Sequence, residues 1–184
     1  MSSRQRNAAT PEDQAQSLLE RLEFVGIPVA VEKIPKLMEA QLRYSPLDDE
    51  LSGMAYVKEG IAIIGVNSLH HPHRQRFTIA HEIGHLCMHR AHITSSVHVD
   101  KSFSGLVLKR DATSAAGTER LEIEANQFAA ALLLPRRHLA KMLSETRIDI
   151  LDEAALEDLA KKFKVSKATL EYRIRNFQLE QTGE

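Results

Sequence analysis

One short segment, His-Glu-Ile-Gly-His at residues 81 to 85, constrains this chain more than any other feature. The segment lies within Phe77 to His89, a run that contains no turn-forming residue except Gly84 and therefore predicts a single helix. On a helix with about 3.6 residues per turn, His81 and His85 lie on the same face, with their Cβ atoms roughly 5–6 Å apart. Two imidazoles at this separation can bind one metal ion.

Glu82 directly follows the first histidine of this pair. Its side chain is displaced by about 100° around the helix axis from His81, so its carboxylate can reach a metal-bound water without being a ligand itself. Two histidines and a glutamate in this arrangement are typical of zinc-dependent peptidases, in which the glutamate is the general base. The alternative is a surface helix that carries two solvated histidines.

A catalytic zinc ion usually has three protein ligands and one open position, so the sequence should supply one more His, Cys or carboxylate. His89 follows on the same helix, but it lies about 12 Å along the axis from His81, too far for both to bind one metal. We expect a supporting or surface position for His89. The third ligand must therefore come from another element.

Three glutamates in a second predicted helix are candidates for the third ligand: Glu119, Glu122 and Glu124. The apolar residues of this stretch recur at helical spacing, and Pro135 ends the pattern. Glu122 borders the apolar face, where a carboxylate is unfavourable unless it is paired or bound to a metal. This position favours Glu122 as the ligand and leaves Glu119 as the second choice. The alternative is that Glu122 is a partly solvated helical residue.

Three separated blocks occur in the order Gly60 to Asn67, Arg76 to Leu86 and Glu122 to Pro135. Together they resemble the ImmA/IrrE family of bacterial metallopeptidases, over roughly residues 25 to 177. The resemblance implies a zinc cofactor in a gluzincin-type site with Glu122 as a ligand. It also implies that Asn126 is the hydrogen-bond partner of a ligand histidine.

The same resemblance implies what the protein acts on. Members of the family cleave a helix-turn-helix repressor or an antitoxin that is encoded nearby, and so release genes of a mobile element or of a stress response. We therefore expect a zinc metallo-endopeptidase in which Glu82 is the base and a regulator of this kind is the protein substrate. The alternative is a zinc-stabilised DNA-binding or interaction regulator without peptidase activity.

The hydrophobic pattern predicts an α+β fold, in which a small antiparallel sheet packs on the helix that carries His81 and on the helix that carries Glu122. A first helix is expected from Thr10, its N-cap, to about Phe24. Glu59-Gly60 predicts a tight turn between two strands. The predicted strands are residues 28–31, 41–45, 52–58 and 61–67.

The expected organisation is a single metallopeptidase domain with terminal extensions. Residues 94–117 are rich in Ser, Thr and Gly and are expected to form a loop, with a strand near Val97 to Val99. The predicted segments are a disordered tail at 1–9, the gluzincin-like domain at 10–150, two C-terminal helices at 151–177 and a tail at 178–184.

The C-terminal segment resembles a helix-turn-helix, with Ser166 as the cap of its second helix. Residues 151–184 carry six Lys or Arg against seven Asp or Glu, so the basic surface that phosphate binding requires is missing. Direct binding of nucleic acid is therefore not expected, and we expect packing on the peptidase core or docking of a protein partner. The apolar residues predicted to face one another are Leu156, Leu159, Ala160 and Phe163 on the first helix, and Leu170, Ile174 and Phe177 on the second.

Further residues are candidates for contacts with a substrate. Tyr56, His92 and His98 are candidate donors that would stabilise a transition state. The resemblance implies that the strand that precedes the His-bearing helix is the sheet edge nearest the metal, where we expect an extended substrate segment to add by main-chain hydrogen bonds. Gly65 would leave room for close backbone approach. The residues assigned to this substrate strand are Ile61, Ile63, Gly65 and Asn67.

Composition points to an intracellular enzyme. The N-terminal residues are polar, and no apolar run is long enough for a secretion signal or a membrane span. Cys87 is the single cysteine, so an internal disulfide is excluded. We therefore expect a cytoplasmic protein that does not contact a membrane.

Overall fold

Two long helices and a small sheet form the centre of the molecule. The computed structural model describes residues 9–95, 98–101, 112–146 and 152–182. The helices are α1 (Pro11–Arg21), α2 (Ile34–Leu37), α3 (Pro72–Met88), α4 (Arg90–Ser95), α5 (Ala112–Leu133), α6 (Arg136–Thr146), α7 (Glu153–Phe163) and α8 (Lys167–Thr182), with a short 3-10 helix at Val31–Lys33. The strands are β1 (Gln41–Ser45), β2 (Leu51–Lys58), β3 (Ile61–Asn67) and β4 (His98–Lys101). The predicted α+β class is confirmed.

The four strands lie in the order β1-β3-β2-β4. β2 and β3 form an antiparallel hairpin, and the predicted tight turn is confirmed because Glu59 and Gly60 have φ angles of 52° and 81°, as a two-residue hairpin turn requires. β1, however, pairs with β3 in parallel, so the sheet is mixed and the purely antiparallel prediction is wrong. An alternating pattern identifies a strand but does not specify the direction of its neighbour.

The predicted substrate strand β3 is an interior strand. It pairs with β1 on one side and with β2 on the other, so the addition of a substrate segment to Ile61, Ile63, Gly65 and Asn67 is wrong for most of this strand. Gly65 accommodates the side chain of Met54 instead, since a Cβ atom at Gly65 would lie 3.0 Å from Met54 Cγ. The Asn67 side chain is also engaged, because its Nδ2 donates to the Leu51 carbonyl at 2.8 Å.

The helix α3 lies against one face of the sheet and also packs against α5. Gly84 permits this close packing, because a Cβ atom there would lie only 3.0 Å from Phe128 Cδ1 on α5. Ile79, Ile83 and Phe128 are fully buried in this layer. The contact brings the two helices that carry the candidate ligands together.

The N-terminal part of the chain departs from prediction at its second element. α1 begins with a capping box between Thr10 and Asp13, as the predicted N-cap requires, and ends at Arg21. The predicted strand at 28–31 is wrong, since this segment leads into the 3-10 helix at Val31–Lys33. Its apolar pattern arises because Val29 and Val31 are buried in the core, without pairing to another strand.

The predicted loop at 94–117 is wrong at both ends. α4 extends to Ser95 and α5 begins at Ala112, whereas residues 102–111 lie outside the described part of the chain. The strand predicted near Val97 to Val99 corresponds to β4, which pairs with β2. α6 is an additional helix that the sequence patterns do not predict.

The C-terminal helices form the predicted helix-turn-helix-like pair. Ser166 caps α8, since its hydroxyl accepts from the Thr169 N–H at 3.1 Å, and Leu156, Phe163 and Leu170 are buried in the main core. The side chain of Phe177 lies outside the described residues. α8 continues to Thr182, so most of the predicted tail at 178–184 is helical.

One buried ion pair attaches α8 to the first helix. The Arg173 guanidinium donates to the two carboxylate oxygens of Glu12 at 2.8 and 2.6 Å and also contacts the Leu134 carbonyl at 3.3 Å. The side chains of Arg173 and Glu12 are 4% and 20% exposed, so this pair is largely shielded from water. Among the described residues, no helix combines the length and apolarity that a membrane crossing requires. The predicted disordered tail at 1–9 lies outside the described residues except for its last position.

Candidate metal centre

Two histidines of α3 point into the protein. His81 is 2% exposed and His85 is 1% exposed, so the alternative of two solvated histidines is wrong. One helical turn separates them, and their Nε2 atoms lie 3.0 Å apart. Both rings therefore direct the same nitrogen toward one point.

Glu122 on α5 supplies a carboxylate at the same point. Its Oε2 lies 3.2 Å from His81 Nε2, and its Oε1 lies 3.6 Å from His85 Nε2. Within the described ranges, these three residues form the single group of three or more side chains whose ligand atoms are close enough to hold a metal. Glu119, the second choice from the sequence, is exposed, and neither Glu119 nor Glu124 belongs to this group.

The spacing of these atoms fits a metal ion. A tetrahedral zinc site with bonds of about 2.0–2.1 Å has ligand atoms about 3.3 Å apart. The observed separations of 3.0, 3.2 and 3.6 Å lie around that value. Two imidazole nitrogens and one carboxylate, with a fourth position left open, are also the donor set of catalytic zinc sites.

The environment favours the deprotonated forms of His85 and Glu122. Burial lowers the pKa of His85 and outweighs the opposing effect of Glu122. For Glu122 burial acts to raise the pKa, but the hydrogen bonds and charges of His81 and His85 together hold it well below its usual range. A neutral imidazole and an ionised carboxylate are the forms that bind metals.

Glu82 is fully buried between α3 and β2. A Cβ atom at Gly53 on β2 would lie 3.7 Å from Glu82 Oε1 and would overlap the Thr78 side chain. Only a glycine at position 53 therefore allows β2 to approach α3 this closely beside Glu82. The strand thus forms one wall of the space around this carboxylate.

Each histidine has a partner at its Nδ1 atom, one on α5 and one directly after the end of α3. The Asn126 side chain oxygen lies 3.0 Å from His81 Nδ1, which is the contact that the resemblance implied for Asn126. His85 Nδ1 lies 3.1 Å from His89 Nδ1, and His89 Nε2 lies 2.9 Å from Glu124 Oε2. A partner at Nδ1 fixes the orientation of the ring and leaves Nε2 for the metal.

The sequence did not predict the contact between His89 and Glu124. Arg120 extends it, since its Nε donates to Glu124 Oε1 at 2.8 Å. These hydrogen bonds, first from Arg120 and then from His89, lower the pKa of the Glu124 carboxyl. The available signal was the four-residue spacing of His85 and His89, which places the second ring beside the first on the helix.

The candidate transition-state donors do not join this cluster. Tyr56 is three residues from Gly53 on β2, and side chains alternate along a strand, so Tyr56 lies on the sheet face opposite to α3. Its assignment as a donor to the metal-bound substrate is therefore wrong. His92 belongs to α4 and His98 to β4, but the side chains of both lie outside the described part of the structure.

The fold and the site together define the class of protein: a mixed α+β domain with a buried metal-ligand group on two packed helices. Comparison with known proteins gives the family. The family described as the IrrE N-terminal-like domain, peptidase M78, matches residues 25–175, so the chain belongs to this family. The predicted membership of the ImmA/IrrE family is confirmed.

The chain is similar to the radiation response metalloprotease IrrE of Deinococcus radiodurans. It is 33% identical over 113 residues, which is 61% of this chain. The matched part covers 30% of the length of that relative, so most of the relative has no counterpart in the match.

Proposed function

We propose that this protein is a zinc-dependent endopeptidase of the gluzincin type, in which His81, His85 and Glu122 hold the metal. The observation that carries the proposal is the convergence of the ligand atoms of His81, His85 and Glu122 within 4.8 Å of one another, beside two buried histidine rings. Membership of a peptidase family supports it. Two histidines from one helix and a glutamate from a second are the ligand set of the gluzincin type.

A zinc ion supplies Lewis-acid activation of water and of the scissile carbonyl. Glu82 takes a proton from the attacking water and returns it to the leaving amine. Because Glu82 directly follows His81 on α3, we expect its carboxylate to lie beside the ligand group without being a ligand. Asn126 holds the His81 ring, and the burial of the cluster keeps bulk water away from the reacting groups.

We further propose that the substrate is a helix-turn-helix repressor or an antitoxin that is encoded nearby, and that cleavage takes place in the cytoplasm. The family resemblance supports this substrate class. The balance of charges in residues 151–184 supports a protein partner over nucleic acid, since that segment has no excess of basic residues.

The test is to incubate the purified protein with the regulator encoded beside it and to follow cleavage by mass spectrometry. We expect cleavage that stops when a chelator removes zinc and returns when zinc is added. Glu82→Gln is the matched variant, because it removes the base and keeps the ligands. Cleavage at an unchanged rate by Glu82→Gln, or in the presence of the chelator, would refute the mechanism. Zinc binding with site-specific DNA binding and no cleavage would favour the regulator alternative.

A further inference from the structure

We propose that His89 and Glu124 are positioning residues for the ligand His85, and that they hold its ring in the form that leaves Nε2 free for the metal. This inference rests on the proposed function, because it assumes that His85 binds zinc. It adds two residues that contact neither the metal nor the reacting groups. They act through His85 alone.

The contacts form a continuous chain from solvent to the ligand group. His89 is 6% exposed, and its two ring nitrogens are both engaged, Nδ1 with His85 at 3.1 Å and Nε2 with Glu124 at 2.9 Å. Glu124 lies on α5, the helix that also carries Glu122. This series of hydrogen bonds is therefore a second link between the region of α3 and α5, beside the contact of His81 with Asn126.

The directions of the hydrogen bonds follow from the carboxylate. An ionised carboxylate only accepts, so His89 must carry its proton on Nε2. A neutral His89 then has a lone pair on Nδ1 and accepts from the Nδ1–H of His85. His85 in turn has a lone pair on Nε2, the atom that lies 3.0 Å from His81 Nε2. Glu124 thus selects the tautomer of a ligand that it does not touch.

The two ligand histidines are supported differently. His81 is backed by the neutral amide of Asn126, whereas His85 is backed by an imidazole with a negative charge behind it. A carboxylate at the end of such a chain increases the basicity of the ligating ring and so strengthens the metal bond. Removing Glu124 should therefore weaken zinc binding although Glu124 is not a ligand.

Arg120 provides the matched control. It pairs with the other oxygen of Glu124, but its side chain is 80% exposed. An exposed ion pair contributes little because water screens it. Arg120→Gln should therefore leave zinc affinity within about threefold of the wild type.

The first test is the zinc dissociation constant, measured by competition with a chromogenic chelator. We expect His89→Phe and Glu124→Ala to weaken binding by about 10–100-fold. Glu124→Gln should have a smaller effect, because its side-chain oxygen can still accept from His89. Glu124 is partly exposed, so its variants should fold even where His89→Phe does not.

The second test reads the tautomer directly, by nitrogen-15 NMR of the histidine rings in metal-free protein. We expect His85 to be protonated on Nδ1 in the wild type and to exchange between tautomers in Glu124→Ala. A loss of packing alone would not change this signal. Wild-type zinc affinity and a wild-type tautomer in Glu124→Ala would overturn the inference.

These experiments distinguish an error in the positioning role from an error in the proposed function. If the wild type binds zinc and Glu122→Ala abolishes binding while Glu124→Ala has no effect, the positioning role is wrong and the proposed function stands. If the wild type binds no zinc, the proposed function is wrong. The tautomer of His85 in metal-free protein still decides whether Glu124 orders the ring in that case.

Discussion

The packing of Gly84 against Phe128 allows a demanding test of how the ligand group is assembled. Gly84 lies between the two ligand histidines of α3, and a Cβ atom there would lie 3.0, 3.2 and 3.3 Å from Cδ1, Cγ and Cβ of Phe128. Phe128 is fully buried, and its Cβ is fixed to the α5 backbone, so the ring cannot swing away. Gly84→Ala must therefore push the two helices apart.

The size of the effect follows from contact distances. Carbon atoms prefer separations of about 3.5–4.0 Å, so α5 must move by roughly 0.5 Å. Metal sites tolerate deviations of only about 0.2 Å, and Glu122 moves with α5. We expect zinc affinity to fall by at least about tenfold, or about 1.4 kcal/mol. In metal-free protein, overpacking costs about 1–3 kcal/mol, whereas the higher helix propensity of alanine contributes about 1 kcal/mol. The free energy of unfolding should therefore change less than the overpacking cost alone.

The assay is a chelator competition for zinc, combined with thermal unfolding of the metal-free protein. Gly117→Ala is the matched control, because Gly117 lies on α5 and a Cβ atom there has no neighbour within 4 Å. It should stabilise the protein by up to about 1 kcal/mol and leave zinc affinity unchanged. Wild-type zinc affinity in Gly84→Ala would show that the spacing of the helices does not set the ligand geometry.

Three further predictions concern the base, its surroundings and the C-terminal helices. Glu82→Gln should keep zinc and lose at least about 10²–10⁴-fold in turnover, and activity near the wild type would mean that another base operates. Gly53→Ala places a Cβ atom 2.7 Å from the Gly65 carbonyl and in overlap with the Thr78 side chain of α3, so β2 and α3 must separate beside Glu82; we expect lower turnover, and unchanged turnover would contradict this. Arg173→Met leaves the Glu12 carboxylate without its buried partner and should destabilise the protein by about 3 kcal/mol, which lowers the Tm by about 6–12 °C. A Tm shift below about 2 °C would contradict this account of the pair.

The features that depend on neighbouring residues were predictable from the sequence. The helical run from Phe77, the turn at Glu59-Gly60 and the cap at Ser166 each rest on a few adjacent residues, and the structure contains all three. The inward position of Glu122 was also predictable, because the helical period places it beside a buried face. These structures depend on adjacent residues, so contacts with distant segments do not change them.

Features that depend on distant segments were not predictable in the same way. The strand order places β1 beside β3, and no local pattern records that choice. The apolar residues on both faces of β3 predict that both faces of the sheet are covered, but they do not predict which strands lie beside β3. The face on which Tyr56 lies is set by the packing of Gly53 under α3, and the contact of His89 with Glu124 joins residues 35 positions apart.

X-ray absorption spectroscopy at the zinc edge determines whether His81, His85 and Glu122 hold a zinc ion. We expect one zinc per chain with two imidazole nitrogens at about 2.0–2.1 Å, oxygen ligands at about 2.0–2.2 Å and no sulfur. Glu122→Ala should lose the zinc or replace a protein oxygen with solvent. A sulfur ligand at about 2.3 Å, which only Cys87 or a methionine of this chain can supply, or the absence of bound zinc, would contradict the account.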